Sequence, residues 1–301
     1  MIRRALAAVA ALAMMWTADL FHDRANAAIT LYKVDAEVEP TGIAGYNPGR
    51  WTDTTFALVI GSDERAGLDG ARGDALHVVG FNPSQGKATI LNIPRDTWVD
   101  IPGHGQGRVN EAYRYGGAQL QAETVSRLTG APIQYVLTTT FAGFISMIDS
   151  LGGVVVDVPY LMSDPNSGAA FNPGPVRMTG ERALAFARNR HVPDGDIART
   201  SHQGQLIVHG LAELRAKGTS PLDVLDYLDA LFRNVKTVGI DSTDLYRLGW
   251  AALQLDPGSV RSYTMPSRVG TMGSASVVFV QQPAGTNLFA DFADDAVLQS
   301  H

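Results

Sequence analysis

The sequence predicts an α/β fold, a single α-β-α layered domain around a mixed central β-sheet. Three observations carry that expectation. From residue 54 onward, short apolar runs of strand length alternate with segments of helical spacing. No internal repeat and no clean linker divides them. Hydrophobic residues make up 45% and charged residues 18% of the 301 residues, a globular balance with ample chain for a core.

Each element follows from its residues. "TTFALVIGSD" is an apolar run that delivers a polar loop at its end, as a buried strand does. "ALHVVGF" and "ATILNIP" read as strands joined by the turn "NPSQGK", and "TWVDIP" as an extension of that meander. "AQLQAETVSRLTG" has helical spacing and ends at Gly130. "QYVLTTT" is a strand, "FAGFISMIDSLGG" an apolar helix and "GVVVDVP" a strand. Residues 160–177, rich in Pro, Gly, Asn and Ser, are expected to be loop. "TGERALAFAR" is a helix capped by Thr179, and Asp196 caps a longer one running to about Lys217. "SPLDVLDYLDALFRNV", with Ser220 as cap and Pro221 in first position, and "STDLYRLGWAALQL" are further helices. "SVRSYTMP" and "SVVFVQQ" are late strands, and "LFADFADDAVLQS" a terminal helix.

Composition excludes whole classes of function. The formal charge of −6 gives no bulk attraction to nucleic acid or to an anionic membrane surface. With no cysteine there is no disulfide, thiolate catalysis or Cys-based metal site. Of the 24 basic residues 20 are Arg. A GC-rich coding sequence gives that bias, and so does selection for a planar fork that matches phosphate and carboxylate oxygens. Residues 1–27 carry Arg3 and Arg4, a 14-residue apolar run from Ala5 to Ala18 and a small-x-small Ala25-Asn26-Ala27. That pattern is a signal peptide or a short membrane anchor, the run being shorter than the roughly 20 residues that span a bilayer. Residues 28–53 read as an extended lead-in, and 54–301 as the domain. The chain is therefore expected to be exported, to the outer face of the cytoplasmic membrane or beyond.

Gly-rich phosphate loops, HExxH and GxSxG are missing, which leaves four polar clusters. In "GSDERAGLDGARGDA", Asp63 and Asp74 sit at the two ends of a loop between strands, so both can face one site. Two carboxylates held together repel unless a cation lies between them, and magnesium favours such a pair with phosphate oxygens and water. An acidic surface loop is the plain alternative. In "NIPRDTWVDIPG", Arg95 is stiffly placed after Pro94, and a turn salt bridge to Asp96 is the competing reading. In "GRVNEAYRYGG", Asn110 is a helix cap or, with Tyr113, a polar contact. In "FARNRHVPDGDIART", Arg188 and Arg190 alternate and point the same way in extended chain. Asp196, Arg199 and Gln203 share one face of the next helix. One such cluster alone reads as a salt-bridged surface. Together, at strand and helix ends, they read as a site for a phosphate species with a divalent cation.

The succession "VIGSDER … ARGDA … LNIPRDTWVDIPG … RVNEAYRYGG … MTGERALAFARNRH … DGDIART" resembles the LytR-CpsA-Psr family of cell-envelope proteins, most strongly over residues 54–210. The resemblance implies an α/β/α catalytic domain with an apolar channel for a lipid chain. It implies a phosphotransferase that moves a glycopolymer from a polyprenyl-pyrophosphate carrier to peptidoglycan at the membrane surface, through a phosphodiester link. It implies Mg2+ (or Mn2+) on Asp63 and Asp74. Arg65, Arg72, Arg95, Arg188, Arg190, Arg199 and Gln203 then bind pyrophosphate. Asp63, Arg95, Asp196 and Arg199 are the catalytic candidates, with Asp196 or Asp63 as base. The helix Phe141–Leu151 and strand Val154–Val158 are either lipid wall or core. His202-Gln203-Gly204 stands where relatives usually have Arg-Gln-Gln, Gly73 where Ser is usual and Arg108 where Lys is usual. A non-catalytic glycan-binding protein and a hydrolase of the lipid pyrophosphate remain alternatives. A role in transcription, suggested by the family's older attenuator name, has no helix-turn-helix signal to support it.

Overall fold

The β1 strand (Thr55–Ser62) alternates its side chains between two cores, with Phe56, Leu58 and Ile60 on one face and Ala57 on the other. In β2 (Gly73–Asn82), Leu76 and Val78 join the first face, while Val79 and Phe81 join the second. In β3 (Lys87–Ile93), Leu91 and Ile93 divide from Ala88 and Ile90 in the same way. A sheet apolar on both faces must be covered on both. This computed structural model describes residues 54–63, 71–192, 195–217, 221–240 and 242–299. The leader, the lead-in, Arg65, Asp194 and Ser220 lie outside the described residues.

Six strands form the central sheet, in the order β11-β6-β1-β2-β3-β12. The β6 strand (Tyr135–Thr140) runs parallel to β1, and β12 (Val260–Thr264) parallel to β3. The other pairings, including the edge strand β11 (Lys236–Val238), are antiparallel. Helices α1 (Glu111–Thr129) and α7 (Ala284–Asp295) cover one face, bringing Ala122, Val125, Leu288 and Phe292 to the first core. On the other face lie α4 (Gly195–Lys217) and α6 (Ser242–Gln254), through Ile207, Val208, Leu211 and Ala251. The layered α-β-α architecture around a mixed sheet is therefore as expected. Among the described residues, no helix is long and apolar enough to cross a membrane.

A second core stands beside the sheet. Helices α2 (Phe141–Ser150) and α3 (Gly180–Arg188) pack with β7 (Val154–Val158), and Ile148, Val154, Val156, Val158, Phe171, Phe186 and Leu206 fill it. The apolar residues weighed as a lipid wall are thus largely core. Helix α5 (Pro221–Phe232) begins at Pro221 as expected and packs near α4 through Leu228 and Leu214.

Several local expectations need correction. Residues 160–177 are not plain loop. They hold β8 (Met162–Asp164), which pairs with β9 (Ala169–Phe171), and most of β10 (Gly174–Met178), which pairs with β7. Alternate burial in these short strands is invisible among so many turn residues. "TWVDIP" does not extend the meander: β4 (Trp98–Ile101) forms its own hairpin with β5 (Gly105–Arg108). A strand absent from the sequence reading, β13 (Ser267–Met272), pairs with β14 (Ala275–Val280). Asn110 stands at the start of α1 without a capping bond, and Glu111 instead accepts the Arg108 N–H at 3.1 Å. Thr179 has a cap's extended backbone, but the Gly180 N–H donates to Asp149 at 2.8 Å. Asp196 lies inside the first turn of α4, which opens at Gly195, and is not its cap.

Candidate active site

The polar clusters meet at one end of the central sheet. Asp63 follows β1, and the loop it opens closes on Arg72: the Arg72 N–H donates to Asp63 Oδ1 at 2.8 Å, and the Asp63 N–H to the Arg72 carbonyl at 3.3 Å. Asp74 is the second residue of β2, beside a register shift at Gly61 and Ser62. Both carboxylates line a cavity of about 390 Å³, together with Arg188, Arg190, Arg199 and Gln203. Two of the four clusters thus converge, through the end of β1, the start of β2, the end of α3, the segment after it and the first turns of α4.

Arg95 lies behind this wall. It follows Pro94 at the end of β3, and its carbonyl accepts the Asn110 N–H at 3.2 Å. Its guanidinium bonds Asp74 at 2.5 Å and lies 3.7 Å from Asp196 and 3.9 Å from Asp96. Burial works against its charge, but Asp74, Asp196 and Asp96 more than offset that and raise its pKa. The expected turn pair with Asp96 is the weakest of the three contacts. Burial pushes the Asp96 carboxyl up, against the pull of Arg95. Arg108 lies 3.7 Å from Asp96 and donates to the Ser276 carbonyl at 3.0 Å, tying β14 to this rim.

Arg199 is buried in α4. It holds Asp196 one turn earlier at 3.0 and 3.1 Å and reaches the Asp74 carbonyl at 3.4 Å. Burial brings its pKa down to about 10, with Asp196 and Asp74 opposing, and Arg95 and Arg190 adding to, that drop. It remains charged at neutral pH, and its Nε has no hydrogen-bond partner among the described residues. Asp196 also takes Arg190 at 3.6 Å, so three guanidinia surround one carboxylate. Those contacts make Asp196 a group that orients the three arginines. Gln203 donates to the Ala187 carbonyl at 3.0 Å, and its buried Oε1 has no partner among the described residues. Arg188 stacks over Phe141, 5.5 Å from the ring centroid.

Not every predicted residue joins the cavity. The Arg72 side chain is exposed and is not among the lining residues. Tyr113 packs against the first core. Asn110 is buried with its Oδ1 unpartnered among the described residues. His202 does not line the cavity either. It is buried against Phe186, 4.8 Å between rings, and pairs with the Tyr160 hydroxyl at 2.9 Å. Burial lowers its pKa to about 4, so it is neutral. Gly204 marks the closest approach of α4 to the sheet: a Cβ there would stand 2.2 Å from Asn92 and 2.4 Å from Ser262. Gly73 is crowded as well, with Leu76 at 3.1 Å from a Cβ position.

The sequence reading missed part of the wall. Asp164, Asn166, Ser167 and His191 also line the cavity, beside Phe141 of the helix weighed as lipid wall. The signal was the polar turn "DPNSG" between two short apolar pairs, which marks a hairpin.

Two carboxylates and open space for phosphate and water make a hard oxygen donor set of the kind magnesium takes. Asp74 Oδ2 and Asp63 Oδ2 carry no hydrogen bond among the described residues. No larger group of metal-ligating side chains occurs among those residues. The donor chemistry therefore fits one divalent ion shared with a phosphate.

Comparisons with known proteins bear on the family and the fold. The model of the LytR_cpsA_psr family matches residues 23–292. A polyisoprenyl-teichoic acid–peptidoglycan teichoic acid transferase, TagU of Bacillus anthracis, is 36% identical over 182 residues, 60% of this chain and 59% of that protein. The Bacillus licheniformis TagU is 32% identical over 187 residues, 62% of this chain and 60% of its own. The chain thus spans about three fifths of the length of these curated relatives. Among solved structures, a LytR-Csp2A-Psr enzyme from Actinomyces oris superposes with a TM-score of 0.66 at 27% identity, covering 79% of this chain and 89% of that one. TagV of Bacillus subtilis gives 0.71 at 24% identity, over 83% and 99%, a likeness of fold.

Proposed function

Because the chain belongs to the LytR_cpsA_psr family, we propose that it transfers a glycopolymer from a polyprenyl-pyrophosphate carrier to peptidoglycan, forming a phosphodiester link. The observation that carries this reading is the cavity itself, where Asp63 and Asp74 face Arg188, Arg190 and Arg199. Transfer of a phosphoryl group needs positioning and charge neutralisation more than covalent help from the protein. Arg188 and Arg190 hold the pyrophosphate with their exposed guanidinia, and Arg199, which also lines the cavity, adds positive charge while it holds Asp196. Asp196 keeps Arg95, Arg190 and Arg199 apart and aimed. Asp63 and Asp74 hold Mg2+, which when bound offsets phosphate charge. Peptidoglycan, the lipid-linked glycan and the membrane surface are the partners in this reading, and the cell envelope is the location. The relatives named as transferases act in the same class of chemistry.

The test uses the purified full chain with magnesium, a labelled polyprenyl-pyrophosphate oligosaccharide and a peptidoglycan acceptor. Label joined covalently to the acceptor is expected, as is its loss with EDTA or in Asp74→Ala. Released oligosaccharide phosphate without labelled acceptor makes the protein a hydrolase. Binding without turnover makes it a glycan-binding protein. Either result overturns transfer.

A further inference from the structure

One pair on the cavity wall has no part in the scheme above. Asp164 closes β8 and is 3% exposed. Its Oδ1 accepts the Asn166 N–H at 2.9 Å and faces His191 Nδ1 at 2.9 Å, and its Oδ2 takes the Arg190 N–H at 3.5 Å. Among the described residues, no arginine or lysine side chain pairs with it. Burial raises its pKa, but the hydrogen bonds from Ser167, Asn166 and Arg190, with His191 nearby, bring the net value below the usual carboxylate range. A carboxylate oxygen 2.9 Å from Nδ1 favours the imidazole tautomer with its proton there and leaves the lone pair on Nε2. The segment that holds the ring is itself tied down. The His191 N–H donates to Asn189 Oδ1 at 3.0 Å, and Asn189 is fully buried. His191 keeps 59% of its side chain exposed, on the wall shared with Arg188 and Arg190.

The other candidates for a base are committed elsewhere. Asp196 meets three guanidinia, Asp74 is bonded to Arg95, and Asp63 and Asp74 are the carboxylates offered to the metal. Among the described residues, His191 is the only histidine that lines the cavity.

We propose that His191, oriented by Asp164, is the general base that takes the proton of the acceptor hydroxyl. This rests on the transfer reading. The hydroxyl oxygen bonds to the phosphorus that carries the glycan, and its proton passes to His191 Nε2. The bridging P–O bond breaks, and its electron pair leaves with the polyprenyl phosphate. The imidazolium then returns the proton to that phosphate or to water. Atoms and charge balance with no further reactant. Asp164 is the positioning residue, since a carboxylate behind an imidazole holds its tautomer and steadies the imidazolium.

The test is steady-state transfer by the full chain with magnesium, the lipid pyrophosphate and peptidoglycan. His191 is exposed, so its replacement leaves the fold in place. His191→Ala is expected to lower kcat about 100-fold or more, with KM for the lipid within about twofold, and added imidazole is expected to restore part of the rate. Asp164→Asn is expected to lower kcat without raising KM, and Asp164→Glu to recover part of it. An active wild type with an equally active His191→Ala overturns the dyad alone. So does a loss expressed in KM without imidazole rescue, which makes His191 a binding group. A wild type that transfers nothing overturns both this proposal and the function it rests on.

Discussion

The arginines in and behind the cavity wall fall into an inner and an outer set, in different environments. Arg95 and Arg199 keep 17% and 4% of their side chains exposed and are locked onto Asp74 and Asp196. Arg188 and Arg190 are exposed, one over the Phe141 ring and the other with a single carboxylate contact at 3.6 Å. One residue type thus does two jobs. A buried guanidinium must be matched by carboxylates, so its donors go to holding the site's acids in place. An exposed guanidinium keeps its fork for an incoming phosphate.

Breaking an inner pair has the largest expected effect. Arg199→Ala removes the closest partner of Asp196 and is expected to cost about 3 kcal/mol, the low end for a buried pair because Asp196 is a fifth exposed. Urea unfolding measures this. A loss under about 0.5 kcal/mol would place Arg199 with the outer set. The same variant is expected to lose transfer.

Acid tests the packing behind the inner set. Burial lowers the pKa of His77 to about 4, against its hydrogen bond to Asn92 and helped by nearby Arg199, and burial does the same to His202. The unfolded chain then binds protons that the folded chain refuses between about pH 6.5 and 4. Stability is full above pH 6.5 and falls as pH drops, by on the order of 1 kcal/mol per unit for each histidine. Thermal melts from pH 7.5 to 4.5 check the slope, and a flat profile contradicts it.

The smallest effect on stability belongs to the outer set. Arg190→Ala is expected to leave unfolding within about 0.5 kcal/mol while weakening lipid-pyrophosphate binding roughly tenfold. Isothermal titration with the lipid reads the second number. Unchanged affinity would remove Arg190 from the clamp.

Five of the six strands of the central sheet were legible from their apolar runs, while the three-residue edge strand β11 was not. The hairpin of β8 and β9 was not, because three-residue strands between turn residues leave no period to count. The site shows the same division. Asp63, Asp74, Arg188, Arg190, Arg199 and Gln203 were visible as charged or amide groups at strand and helix ends, and all line the cavity. Asp164 stood in a segment read as loop, and the carboxylate that meets the His191 ring lies outside the stretch that holds His191.

The sequence by itself determined the layered α/β fold and the residue types of an anion site, since alternation, helical spacing and charge at element ends are local properties. Tertiary structure decided which arginines are buried and which are exposed, because Asp74 and Arg95 are 21 residues apart and meet only across the ends of β2 and β3. It also decided that His202 faces Tyr160 rather than the cavity, and that Asp164 reaches His191 across 27 positions. Those pairings depend on which surfaces the cores bring together, and no spacing along the chain encodes them.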